Sequence, residues 1–383
     1  MRREAAVLLA LVAASALRGG EEAKAEQKKG EIPKDTIVSA YLNVPHEAGK
    51  NIVWCSTFQI AWDALGKDLC GEPLKLEGTP QMETELNKGE ASKDDLDAES
   101  YLIRTGAMTK ETLDEVRSEL EKRFGEKTPR LLDQPDFVPT DGPMLLAYAY
   151  LLKKLAFATP FEKLENEISW KGRSGQNTRL KGFGVSKLNP GSREAAFQVV
   201  VVDFQSSADF IVELVTKGKQ DHVYVAVVKP KSTLKETADA VRARVAAARR
   251  GVLEPNDVFE MPNMATDLDR RYGEIIGRKV LGGKLKGDSI FEARQTIEFR
   301  LNEAGVVLKS EAVMGWTPAE GEEPKWRWLV VDKPFLVCLE RDKAKAPYFA
   351  MWVENPDLLE RYAAEPRPWG GGGIFDFRFS ICD

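Results

Sequence analysis

Ile297-Glu298-Phe299-Arg300-Leu301-Asn302-Glu303-Ala304-Gly305 is followed, after a variable stretch, by Lys333-Pro334-Phe335-Leu336-Val337 and then by Tyr348-Phe349-Ala350-Met351-Trp352-Val353-Glu354-Asn355-Pro356. Phe335 to Leu339 and Tyr348 to Val353 are rich in the branched and aromatic residues that suit a pleated, buried surface. Between them stands Glu340-Arg341-Asp342-Lys343-Ala344-Lys345-Ala346-Pro347, a charged connection of hairpin length. The two runs therefore read as an antiparallel pair in the core. Working outward, Phe197 to Phe204, His222 to Val228 and Trp326 to Val331 carry the same composition and read as further strands.

Helices alternate with these runs. Thr233 with Glu236 makes a capping box, Leu234, Val241 and Val245 share one face, and Arg249-Arg250-Gly251 supplies the stop. A second helix is expected to open at Thr112 with Glu115, with Leu113, Val116, Leu120 and Phe124 at helical spacing and Gly125 after it. Arg242, Arg244, Arg249 and Arg250 read as a solvated helix face. Strands and helices together predict the α+β class. Length favours two domains by the usual ~100–200 residues per domain, although larger single cores exist.

The chain opens with Met1-Arg2-Arg3, an apolar run from Ala5 to Leu17, and Ala14-Ser15-Ala16 as the small-residue cleavage site, the pattern of a signal peptide over residues 1–16. The run is short of the ~20 apolar residues a spanning helix needs. Export is expected, to an extracellular or periplasmic location. Removing residues 1–16 takes away Arg2, Arg3 and Glu4, so the formal charge moves from −5 to −6. That mildly acidic surface argues against nucleic acid or an anionic membrane as a partner. Residues 17–35 carry charge and little apolar bulk and read as a flexible lead-in. After Pro356, residues 357–383 form a Pro/Gly-rich tail in which Ile374 to Phe379 alternates like one last strand. Four cysteines, Cys55, Cys70, Cys338 and Cys382, permit three complete disulfide pairings, and Cys55 and Cys338 read equally well as buried thiols inside apolar strands.

Catalytic patterns are missing. The two histidines, His46 and His222, are too few for a histidine-based metal site, and His222 lies inside a strand pattern as a structural residue. Gly282, Gly283 and Lys284 are followed by Leu285, without the Ser or Thr that closes a phosphate loop. No Gly-x-Ser-x-Gly elbow occurs. The expectation is no enzyme, no catalytic residue, no cofactor and no metal.

The closing stretches resemble the serpin family: the strand leading into the reactive-centre loop, and the final hairpin with its Asn-Pro end. Two further stretches resemble it in the same order. Asn51-Ile52-Val53-Trp54-Cys55-Ser56-Thr57-Phe58-Gln59-Ile60-Ala61 is similar to the buried strand that runs into helix B, and Leu145 to Phe161, ending Thr159-Pro160-Phe161-Glu162, is similar to the central-sheet strand with its Pro-Phe turn. The likeness spans residues 36–356 and implies one large domain with large mixed sheets, helices and an exposed loop at about residues 304–325. Departures stand beside it. Cys55 and Phe58 occupy the places of two serines that gate the central sheet, Gln295 that of a histidine, and Ala149, Leu155 and Phe157 those of Asn, Gly and Trp. A polar cluster is thus expected to be rebuilt with apolar bulk.

What the resemblance implies is a monomeric suicide-substrate inhibitor whose cleaved loop inserts into a sheet. The hinge falls on Glu303, Gly305, Val306, Leu308 and Ser310. Alternation puts Val306, Leu308, Ser310, Ala312 and Met314 on one face and Val307, Lys309, Glu311 and Val313 on the other. Without charge the first face can be buried, although Val306 and Leu308 are bulkier than the family pattern. Scissile-bond candidates are Ala319, Glu320, Gly321, Glu322 and Glu323. An acidic or small residue there points to a serine or cysteine protease that is not trypsin-like. The alternative is a non-inhibitory binding or structural protein on the same scaffold.

Overall fold

The computed structural model describes residues 30–127, 129–132, 144–171, 177–185, 193–218, 220–305 and 326–362. All of them belong to one compact unit, Gln27–Tyr362. The signal-peptide residues 1–16, the Ile374–Phe379 stretch and Cys382 lie outside the described residues.

The largest sheet has eight strands in the order β1 (Thr36–Ser39), β2 (Asn51–Cys55), β18 (Phe349–Val353), β17 (Phe335–Arg341), β11 (Asp221–Val227), β10 (Asp209–Leu214), β9 (Val199–Ser206) and β12 (Gly251–Val252). It is mixed, because β1 pairs with β2 in parallel and the other pairs run antiparallel. Both faces are covered, which is why its strands are continuous apolar runs rather than alternating ones. Val53, Val212, Val225, Val337 and Met351 belong to one buried cluster, and Trp54, Ile211, Tyr224, Cys338 and Trp352 to another. Helix α5 (Leu234–Ala247) closes the second face with Leu234, Ala238 and Val241, and its capping threonine, Thr233, accepts from Glu236 N as expected. The terminal hairpin is found in register, Val337 opposite Met351.

The first face packs on three smaller sheets. One is ordered β16 (Trp328–Val330), β13 (Val258–Pro262), β8 (Gly182–Val185), β5 (Glu162–Lys163). Another pairs β14 (Met264–Arg271) with β15 (Arg294–Leu301), whose Phe299 stacks on Phe349 at 4.6 Å. The third, β6 (Ile168–Lys171) with β7 (Asn177–Leu180), places Trp170 against Phe335. A separate pair, β3 (Tyr101–Ala107) and β4 (Leu145–Leu151), carries α3 (Lys110–Phe124) through Leu113, Val116 and Leu120. Short helices α1 (Thr57–Ala64), α2 (Gln81–Leu86) and α4 (Arg193–Ala196) complete the set.

Two local expectations are corrected. α3 opens at Lys110 rather than at Thr112, because Thr109 is extended and its hydroxyl accepts from Thr112 N, which makes Thr109 the cap. The strand expected over Leu145 to Phe161 ends at Leu151; beyond it Lys153 turns to pair with Asp221 at 2.9 Å. Cys55, Cys70 and Cys338 are buried free thiols. Residues 359 to 362 are held on the body, Arg361 bridging Leu180 and Tyr362 N donating to Arg179 O.

Candidate functional site

The chain segments that follow β4 and β15 meet each other. Past β15, Asn302 makes a turn: its carbonyl accepts from Gly305 N at 3.0 Å and its side-chain oxygen from Ala304 N at 3.1 Å. The chain beyond β4 meets this turn, Phe157 N donating to Ala304 O and Phe161 N to Glu303 O at 2.8 Å. Gly305 has φ +78°, and a Cβ there would lie 2.6 Å from Phe157 N and 2.8 Å from Leu155 O. Only glycine fits both the backbone angle and the contact. Glu303 pairs with the exposed Lys163 at 3.0 Å. Phe157 and Phe161 meet edge to face at 4.8 Å, and Gln198 pins Thr159 through both its amide groups.

The meeting itself is antiparallel, through a bridge between Ala156 and Gly305. Among the described residues no backbone ladder joins the β3–β4 pair to the β14–β15 pair. Helix α1 packs against both β4 and β15. A segment leaving at Gly305 thus starts where the chain past β15 meets the chain past β4, and among the described residues each of these two strands is paired along one edge.

The polar cluster expected to be lost is present, with different members. Gln295, 3% exposed, donates through Nε2 to Cys55 O at 3.1 Å and to Thr57 Oγ1 at 2.7 Å, and its Oε1 accepts from Tyr272 OH at 2.9 Å. Cys55 and Phe58 do bring apolar bulk, Phe58 lying on the Tyr272 ring at 4.5 Å, but Thr57 and Tyr272 take over the hydrogen bonding. Burial pushes the Tyr272 phenol and the Cys55 thiol above their usual ranges, so both stay neutral, the phenol donating to Gln295 and the sulfur accepting from Thr57 Oγ1. Each buried polar atom of Gln295 is satisfied, which is what a buried amide requires.

At the far side of the loop, Arg327 is bound to Asp257, a carboxylate with a fully buried side chain: Arg327 N and Nε donate to it at 3.0 and 2.9 Å. A further guanidinium nitrogen donates to Val252 O at 2.9 Å. Glu254 N also donates to Asp257 at 2.7 Å. Of the residues expected at the site, Glu303 and Gly305 stand together at the hinge. Val306, Leu308, Ser310 and Ala319, Glu320, Gly321, Glu322 and Glu323 lie outside the described residues. Thr57, Tyr272, Asp257, Arg327 and Lys163 were not expected; of these only Arg327 carried a signal, as a charge between two tryptophans in a strand-like run. His222 is structural, its Nδ1 2.7 Å from Glu213.

No family model and no curated protein matches the chain. Solved structures are similar to it. Serpin48, a highly specific serpin of the insect Tenebrio molitor, shares 12% identity over 81% of this chain and 92% of that one, with a TM-score of 0.47. A serpin from the trematode Schistosoma haematobium shares 12% over 80% and 94%, with a TM-score of 0.44. Human thyroxine-binding globulin, complexed with thyroxine, shares 12% over 64% of each chain, with a TM-score of 0.41.

Proposed function

We propose that this is a secreted, monomeric serpin-like inhibitor whose loop, at about residues 304–325, is bait for a serine or cysteine protease that is not trypsin-like. The observation that supports the reading is the hinge: Gly305 leaves where the chain past β15 meets the chain past β4, and among the described residues no ladder joins the β3–β4 and β14–β15 pairs. In this reading the protease nucleophile attacks a carbonyl among Ala319 to Glu323. The peptide bond breaks, an ester or thioester to the protease forms, and the leaving amine takes a proton. The freed segment from Val306 then enters as a new strand between β4 and β15 and carries the acyl-linked protease with it. Entry satisfies backbone groups along two strand edges at once.

The second reading is a non-inhibitory scaffold, favoured by the bulk of Val306 and Leu308, which must be fitted into a packed core at ~1–3 kcal/mol. One experiment separates the two. Nicking the loop with a broad-specificity protease should raise the thermal midpoint markedly if the segment inserts; an unchanged midpoint rejects insertion. On the nicked protein, Val306→Arg should abolish the rise because it forces a charge inward at the first step. Lys309→Ala, on the opposite face, should alter it by no more than the ~0.5 kcal/mol of a surface change.

A further inference from the structure

Among the exposed large apolar side chains of the described residues, Trp326 has the greatest exposure, 62%, and Trp328, two residues on, is 51% exposed. Their arrangement follows from the strand. Arg327 between them turns to Asp257, and Leu329 after them is fully buried, so alternation sends both indoles to the other side, toward solvent. Among the described residues β16 is an edge strand with β13 as its neighbour. The presentation is rigid: Arg327 is held to Asp257 through its backbone N and its guanidinium, and its carbonyl accepts from Val258 N at 3.0 Å. Val252, whose carbonyl Arg327 also holds, is itself 53% exposed.

Paired exposed tryptophans on a fixed edge strand are the residue type that dominates protein–protein hot spots, each able to bury on the order of 150–250 Å². Chain length identifies the occupant. Trp326 follows Glu323 by three residues and Ala319 by seven. At ~3.3–3.6 Å per residue those spans are at most about 11 and 25 Å. A protease domain of about 220 residues has a radius of gyration near 17 Å. The indoles lie within reach of any such domain seated on a bond between Ala319 and Glu323.

We infer that Trp326 and Trp328 form a secondary docking surface for the target protease, taken by an apolar patch beside its cleft, with Arg327 as the residue that positions them. This rests on the bait reading of the preceding loop. The test compares the full chain with a Trp326→Ala/Trp328→Ala variant as substrates of two probes, a glutamyl endopeptidase and an elastase of small-residue specificity. With at least one probe, kcat/KM for loop cleavage should fall at least tenfold, through KM and with kcat unchanged. Arg327→Ala, with both indoles kept, should reproduce the KM effect, whereas Leu281→Ala, which removes another exposed apolar side chain, should not. Equal cleavage of the double variant and the parent by both probes would overturn the docking surface. Gel analysis of the parent separates this from the bait reading: cleavage without an acyl-linked complex removes inhibition while a KM difference keeps the surface, and a complex formed at equal rates removes the surface alone. A loop that neither probe cleaves removes both.

Discussion

In the eight-stranded sheet Met351 lies opposite Val337 on one side and Val53 on the other, and every strand from β2 to β9 has a hydrogen-bonded neighbour at each edge. Among the described residues β4 and β15, of similar length, have a ladder on one edge each. The first region is closed by backbone bonds and by apolar clusters on both faces. The second is held by side chains instead: Gln295 between Cys55, Thr57 and Tyr272, α1 packed behind, and Arg130 after α3 paired with Asp267 and Asp269 on β14. Closed ladders resist change, since opening them exposes many unpaired groups at once. Side-chain ties can be exchanged one at a time. One region is thus held by continuous backbone ladders and the other by side-chain ties between two-stranded pairs.

Three variants press on that difference. Phe335→Ala removes a fully buried ring packed edge-on against Trp170 at 5.9 Å, and should cost ~3–5 kcal/mol by chemical denaturation. Under the insertion reading the cost should be equal before and after nicking, because the new strand would join β4 and β15 and not this sheet; an unequal cost would break the division. Gln295→Leu leaves the Tyr272 hydroxyl, Thr57 and the Cys55 carbonyl without their shared partner, a loss of about 1–3 kcal/mol. Amide exchange should quicken at the start of α1 and along β15 while the β17–β18 hairpin keeps its protection, and uniform quickening would contradict a local tie.

The smallest effect belongs to His222, at the rim of the closed sheet. Its hydrogen bond to Glu213 raises it above the usual imidazole range, burial and Arg250 opposing and Glu340 assisting. A raised folded value means the stabilisation is complete below about pH 6.5 and is lost as pH climbs through that raised value. Thermal midpoints should therefore decline slightly from pH 6 to 8, by less than ~3 °C, and His222→Gln should flatten the decline. A midpoint rising over that range would reverse the sign and reject the pair as a stabiliser.

What could be read from the chain alone were the parts whose causes are local. Runs such as Phe335 to Leu339 and Tyr348 to Val353, with a charged connection between them, specify an antiparallel hairpin without outside help, and Thr233 with Glu236 specifies where α5 starts. Gly305 stood out because it closes a strand that resembles a family's hinge, and its positive φ gives the physical reason for glycine there. The fit of Thr109 rather than Thr112 as a cap turned on one backbone angle, which composition does not contain. Only the tertiary structure could decide the site's other members. Gln295 meets Thr57 across 238 positions, and Arg327 meets Asp257 across 70. A glutamine or an arginine reads as surface until a fold brings it a buried partner, because its worth lies in which polar group it satisfies and not in its own type.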